Sequence, residues 1–424
     1  MVIEGEDMRE GYKKTELGEI PVEWEVKKLK DIVIGKGEYG IGASATEYVE
    51  GKPRYLRISD IGDNGELLKE DIKGLEEDNY FKYLLEENDI VFARTGNTTG
   101  KSYLYHKKDG ELVYAGFLIR FKINSSIMDS RFVKYYTQCK KYWDWVKTVS
   151  TRSGQPGINS KQYSELNIPI PPLKEQQKIA DILSTVDRLI EQTDALIEKT
   201  KELKKGLMQR LLTKGIGHTE FKKTEIGEIP VEWEVKKLKE IGEIVTGNTP
   251  KTSEPENYGN EYLWVSPADM GEHKYIYKTN KMLSFIGFNK TRKIPKGSIL
   301  VTCIGSTIGK IGIASEELST NQQINSLICN VKYNNEYVYY AISYNFKKYI
   351  SFISIQAVPI INKTVYSEFM IPIPPKEEQD RIANILSEID IKIENYNVKK
   401  QKLQTLKQGL MQKLLTGKIR VKVS

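Results

Sequence analysis

Two long stretches of this chain are near-copies of one another. Tyr12 to Ile32 reads YKKTELGEIPVEWEVKKLKDI and Phe221 to Ile241 reads FKKTEIGEIPVEWEVKKLKEI, with three conservative differences. A second block, IPIPP at Ile168 to Pro172, returns at Ile371 to Pro375. Each IPIPP leads into a Glu-Gln pair (Glu175-Gln176, Glu378-Gln379) and an Ile-Ala step (Ile179-Ala180, Ile382-Ala383). The copies close on GLMQRLLT from Gly206 and GLMQKLLT from Gly409. The same parts in the same order, from about residue 12 to 215 and from about 221 to 418, are a tandem duplication. A repeat of this length, present twice, is a pair of domains and not a solenoid.

Between the shared blocks the copies have diverged. Lys36 to Asn88 and Thr246 to Gly297 have little in common. One short likeness survives, DIVFARTGNTTGK at Asp89 to Lys101 beside SILVTCIGSTIGK at Ser298 to Lys310. Another is Ile158-Asn159 beside Ile361-Asn362, just ahead of IPIPP. A constant frame thus carries two different surfaces.

The paired prolines mark helix starts, since proline is tolerated in a first turn and not in a helix interior. From Lys174 a stripe runs through Ile182, Val186, Leu189, Thr193, Leu196, Thr200, Leu203 and Leu207. The second copy offers Ile385, Ile389, Ile393, Tyr396, Leu403, Leu406, Leu410 and Leu414. Alternating steps of four and three are a coiled-coil seam. Neither stripe is stable alone in water, and each copy is the nearest partner for the other. Antiparallel pairing of the two helices, with a pseudo-two-fold relation between the copies, is the expectation.

Chemistry is hard to find. The cysteines, Cys139, Cys303 and Cys329, are far apart and fit neither a zinc site nor a disulfide framework, so a reducing cytoplasm is the expected setting. The polar, charged first residues lead us to expect no signal peptide, and the most apolar stretch, Ser298 to Ala314, is short of the ~20 apolar residues of a membrane helix. His106, His218 and His273 stand in no ligand spacing and read as loop or surface residues. Gly96 to Lys101 and Gly305 to Lys310 suggest a phosphate-binding loop, but only three residues separate glycine from Gly-Lys where that loop needs four. Glu25-Val26-Lys27 and Glu234-Val235-Lys236 have a nuclease-like spacing without the preceding acidic residue, and read as the alternating charge of a short strand. The net charge of +7 suits an anionic partner without proving one.

With those residues in view, the chain resembles the specificity subunit of Type I restriction–modification systems. The resemblance rests on the lead-ins around Trp24 and Trp233, the IPIPP-x-x-EQ helix starts and the GLMQ[RK]LLT ends, and it covers nearly the whole chain. It implies an α+β protein with two mixed α/β target-recognition domains separated by two long antiparallel coiled-coil helices. The expected segments are residues 1–165 for the first domain, 166–215 for the central spacer helix, 216–368 for the second domain and 369–424 for the C-terminal helix. Each domain would read one half of a bipartite, asymmetric site on double-stranded DNA. The helices would set the gap between the halves and dock two modification (methyltransferase) subunits, with restriction/translocase subunits joining. Such a chain is no enzyme and holds no cofactor or metal; S-adenosylmethionine, ATP and magnesium would sit on its partners. Each helix, about 38 residues or on the order of 57 Å long, is the right size to set a spacing between half-sites about 34 Å apart.

Base edges are read by Arg, Lys, Asn and Gln, and phosphates are held by Lys, Arg, Ser and Thr. The densest offers in the first copy are Arg94, Thr95, Asn97 and Lys101, then Arg152, Gln155, Asn159 and Lys161. In the second they are Ser306, Thr307 and Lys310, then Asn321, Gln322, Gln323 and Gln356, leading to Asn362 and Lys363. Two other classes remain open: a self-sufficient DNA methyltransferase or nuclease with two recognition domains, disfavoured by the missing motifs, and a coiled-coil scaffold that binds no DNA.

Overall fold

A computed structural model describes residues 9–150, 156–271, 273–350 and 360–422. The chain divides into two compact units, one built from residues 1–194 and 398–424, the other from 195–397. Each long helix is therefore shared between units.

The first unit opens on a hairpin, Tyr12–Thr15 against Gly18–Pro21. Glu25–Lys28 then pairs antiparallel with Asn167–Ile170, so the charged EVKK segment is half of a two-stranded ribbon whose other half is the start of IPIPP. A ribbon edge accommodates Pro169, which has no N–H to give. The main sheet holds β1 (Val33–Tyr39), β2 (Asp89–Ala93), β3 (Ser102–Leu104) and β4 (Leu118–Ile123) in the order β1-β4-β2-β3, all antiparallel. Helices Ser130–Tyr136 and Lys140–Ser150 join the core, where Trp24, Phe92, Phe121, Tyr136 and Tyr163 are buried together.

The second unit repeats this plan. Its hairpin is Phe221–Thr224 with Gly227–Pro230, and its ribbon is Glu234–Lys237 with Met370–Ile373. Its sheet runs β5-β9-β7-β8-β6, from β5 (Gly242–Thr246), β6 (Tyr275–Ile276), β7 (Ile299–Thr302), β8 (Ile311–Ala314) and β9 (Ile324–Cys329). Helix Asn335–Ile350 packs in its core with Trp233, Tyr337, Tyr340 and Tyr366. The architecture is α+β, a mixed domain written twice.

The long helices are α1 (Leu173–Leu211) and α2 (Lys376–Leu414), 39 residues each. Both start behind the paired prolines, where Glu175 N and Glu378 N donate to the carbonyls of Pro172 and Pro375. Past their ends, Gly215 and Gly417 sit at φ +65° and +69°, the left-handed conformation that stops a helix. A side chain at either would strike the lead-in, 2.7 Å from Trp233 and 2.3 Å from Pro21. In the first unit Asp187 faces Lys407 and Asp194 faces Lys400, so the helix segments there run antiparallel. In the second unit Lys204 faces Asp390 while Ile216 N donates to Glu378, the same sense.

The buried line on α1 corrects the expected seam. It passes through Ile179, Leu183, Val186, Thr193, Ile197, Thr200 and Leu211, with half-buried Ile190 and Lys204 filling the spacing. Val186 is on it, and Ile182 and Leu207 are half-buried beside it. Leu189, Leu196 and Leu203 lie one residue off it and are 36%, 41% and 52% exposed. On α2, Ile385, Ile389, Ile393, Leu403 and Leu410 are half-buried, while Leu406 is exposed and its neighbour Lys407 is buried. At Leu203 and Leu406 the cause is lysine: Lys204 and Lys407 bury their stems and pair their heads, so a search for leucine takes the neighbouring residue instead; beside Leu189 and Leu196 the line takes the isoleucines Ile190 and Ile197.

Candidate nucleic-acid interface

The ends of β1 and β2 and the start of β4 coincide, since Tyr39 pairs with Ile119 and Ala93 with Leu118. The loops beyond them therefore share one edge of the first unit. Arg94 is anchored there by its backbone, whose N–H donates to Phe117 O at 3.0 Å and whose carbonyl accepts from Ile158 N at 2.9 Å. Its guanidinium lies 4.9 Å from the centre of the Tyr39 ring. Tyr39 in turn accepts from Ser160 N through its hydroxyl at 3.1 Å. Thr95 bridges to Gly157, and Asn97 is exposed on the turn that follows. Phe117, on the facing turn, is a large exposed aromatic.

The second unit has the same edge, with Thr246 opposite Asn325 and Thr302 opposite Ile324. Cys303 stands where Arg94 stood: its N–H donates to Gln323 O and its carbonyl accepts from Ile361 N, both at 2.8 Å. The cation comes instead from another loop. Arg292 donates from its guanidinium to Thr246 O at 2.5 Å and from its backbone to Asn248 Oδ1 at 2.8 Å. Thr249 donates to Gln322 Oε1 at 2.6 Å, and Asn321 to Gln323 Oε1 at 3.0 Å. Ser306 and Gln322 are exposed, and Thr307 is half-buried.

Several expected contacts carry structural duties. Asn159 and Asn362 cap the short helices Ser160–Ser164 and Lys363–Ser367, accepting from Gln162 N and Val365 N at 2.9 Å. The lysines beside the caps, Lys161 and Lys363, are exposed. Lys101 is paired with Asp63 at 2.7 Å, and Lys310 donates to Pro267 O at 3.2 Å. Arg152, Gln155 and Gln356 lie outside the described residues. Tyr39, Asn248, Thr249 and Arg292 join the edge from within the diverged stretches and Phe117 from the turn before β4, none of them marked by a motif in the sequence.

The glycine strings are turns. Gly96 and Gly100, like Gly305 and Gly309, hold positive φ in the β2–β3 and β7–β8 hairpins, where no helix follows to receive a phosphate. A side chain at Gly100 or Gly309 would approach Val146 or Phe346 to 2.7 Å. Among the described residues no cluster of His, Cys, Asp or Glu could hold a metal ion. The cysteines are free, and burial pushes the Cys303 and Cys329 thiols up to about 12, which leaves them poor nucleophiles at neutral pH. Among the described residues no helix is long and apolar enough to cross a membrane. His218 lies in a loop, and is half-buried there with Nε2 3.0 Å from both oxygens of Glu378, a partner 160 residues away.

The chain is 34% identical to a putative type I restriction enzyme MjaX specificity subunit of Methanocaldococcus jannaschii, over 97% of each chain. It is 31% identical to the MjaVIII specificity subunit of that organism, again over 97% of each. The EcoR124I/EcoR124II specificity subunit of Escherichia coli is 27% identical over 64% of this chain and 68% of its own length. Among solved structures, the Type I restriction–modification S subunit from M. genitalium shares the fold with TM-score 0.60 and 16% identity, covering 95% of this chain and 97% of that one. The family described as the Type I restriction modification DNA specificity domain matches twice, at residues 21–202 and 230–405. Duplicated lead-ins, duplicated helix starts and a domain matched once in each copy together make this chain a member of the Type I restriction–modification specificity family.

Proposed function

We propose that this chain is the DNA sequence-recognition subunit of a Type I restriction–modification complex, with no catalysis of its own. Each domain reads one half of a bipartite, asymmetric site through the loops at its sheet edge. The long helices set the gap between the halves and dock two modification subunits, and restriction/translocase subunits complete the assembly. S-adenosylmethionine, ATP and magnesium belong to those partners, and the cytoplasm is where such a complex meets DNA.

One observation carries this reading. Equivalent edges of the two units keep the same backbone bonds while exchanging the side chains they present, Arg94 and Phe117 in one, Arg292, Asn248 and Gln322 in the other. A frame held constant under changed donors and acceptors is what reading two unlike half-sites requires.

The test is co-expression with the cognate modification subunit, followed by sequencing of methylated adenines. A single two-part motif with one gap length is expected. One heptad added to each long helix should lengthen that gap by about three base pairs, because about 10.5 Å of helix equals three steps of about 3.4 Å. Methyl transfer by the purified chain alone, or the absence of any motif, defeats the reading.

A further inference from the structure

Each unit holds a half-buried constellation that joins three elements. In the first, Asp187 on α1 accepts from the Tyr135 hydroxyl at 2.8 Å and pairs with Lys407 of α2 at 2.8 Å. Lys407 is only 9% exposed, sits 5.6 Å from the centre of the Tyr135 ring and also reaches Gln138 Oε1 at 3.3 Å. In the second unit the helices exchange roles. Asp390 on α2 accepts from the Tyr340 hydroxyl and pairs with Lys204 of α1, which lies 5.5 Å from that ring. The two aspartates, like the two lysines, are as far apart in sequence as the two GLMQ blocks, so the triads are copies.

Beyond the more exposed Asp194–Lys400 pair, the helix faces around these triads do little to fix an alignment. The buried line on α1 includes Thr193 and Thr200, whose hydroxyls turn back to the carbonyls of Leu189 and Leu196. A repeating apolar stripe offers nearly equal contacts after a slip of one heptad. A buried charge does not, because a slip leaves it without its partner in a poor solvent for ions; single polar seam residues fix register in coiled coils for this reason. The tyrosines add a second constraint, since each comes from its domain's own helix, Ser130–Tyr136 or Asn335–Ile350.

We infer that the two Lys–Asp–Tyr triads are register locks: they fix which turn of α1 lies beside which turn of α2, seat each domain on that turn, and so determine the single gap length the complex accepts. The lock rests on the proposed role of the helices as a spacer. Tyr135, Asp187 and Lys407, with Tyr340, Asp390 and Lys204, are positioning residues that touch no DNA in this scheme.

The full chain should be co-expressed with its modification subunit as wild type, Asp187→Lys, Lys407→Asp and the double reversal. The readout is the distribution of gap lengths among methylated sites. Either single reversal should lower discrimination against gaps of the wrong length by about 100-fold, the scale on which losing one partner of a buried pair acts. The double reversal should restore one gap. Should the reversed chains fail to fold, Asp187→Asn and Asp390→Asn, which keep the shape and remove the charge, carry the same test with folding checked by thermal melting. Folded variants whose methylated sites keep the wild-type gap distribution overturn the lock, as does a double reversal that restores nothing. If the heptad insertion shifts the gap while the triad variants leave it alone, the lock fails and the spacer reading stands; if the insertion shifts nothing, the spacer reading fails first.

Discussion

Trp24 donates its indole N–H to Glu175 Oε2 at 3.0 Å across 151 residues of sequence, and that carboxylate is 1% exposed. Arg420, beyond the end of α2, donates to the same group at 2.7 and 2.9 Å. In the second unit Glu378 does the same for Trp233 at 2.9 Å and meets His218, beyond the end of α1. The neighbouring glutamines are equally placed: Gln176 Oε1 accepts from Asp129 N and Gln379 Oε1 from Asn334 N. One Glu-Gln pair thus fastens the lead-in, the helix start and the domain's own helix. The repeated blocks travel together because they touch.

Removing Glu175 should therefore loosen the first unit as a whole. Glu175→Ala strips the Trp24 indole and one face of Arg420 of their acceptor. A loss of about 2–3 kcal/mol is expected, the cost of breaking a buried pair reduced because Arg420 is partly solvated. Glu175→Gln can keep the indole bond and should cost less. Urea unfolding measures both, and an alanine variant within about 0.5 kcal/mol of wild type, the range of ordinary surface changes, contradicts the fastening role.

Glu165 gives the ribbon a pH signature. Hydrogen bonds from Lys28 and Lys30 hold its carboxyl down at about 2 from an ordinary 4.5. Its folded value lies below its unfolded one, so its contribution is present above about 4.5 and fades as pH falls through about 2. The stability difference between wild type and Glu165→Gln should be flat near neutrality and disappear across that acid window. Glu368, between Lys237 and Lys239, is held low by the same bonds and should behave alike. A carboxyl titration by NMR that places Glu165 at its ordinary value removes the basis for both.

The two sheet edges should fail separately. Arg292→Ala should relax the half-site read by the second domain by about 1–3 kcal/mol at one position, leaving the other half intact. Arg94→Ala should do the converse. Lys161→Ala or Lys363→Ala, at exposed cap-side positions, should weaken binding evenly and lower the salt slope by about one. Methylation motifs and salt-dependent anisotropy on the assembled complex separate these outcomes. A variant that degrades both halves together contradicts the division of labour.

The frame was legible because duplication is a long-range signal in one sequence. Prolines, Glu-Gln pairs and glycines sit at the same offsets in both copies, and each does local work that any reader of caps and turns can name. Of the residues singled out in the sequence, Arg94 and Gln322 stand at these edges, Arg94 within a stretch the two copies share. Arg292 and Asn248 come together from 44 residues apart within a diverged stretch, and no local pattern announces such a meeting. The carboxylate partner of His218 is hidden for the same reason, lying 160 residues along the chain. At Leu203 and Leu406 the seam departs for a different one, because burial of a lysine stem is decided by an ion pair on another helix, which periodicity alone does not contain; at Leu189 and Leu196 the buried line takes the isoleucine one residue on.

Adjacent residues on α1 make that last point measurable. Leu196 is 41% exposed and Ile197 is 4% exposed. In the isolated chain, Ile197→Ala should cost about 2–4 kcal/mol, the toll of emptying a packed site. Leu196→Ala, and likewise Leu203→Ala, should stay within about 0.5 kcal/mol of wild type, since little apolar surface is uncovered. Chemical denaturation of the two single variants decides between the alternatives. If Leu196 proves the costlier of the pair, the buried line runs through the leucines after all, and Lys204 and Lys407 lose their place beside the aspartates.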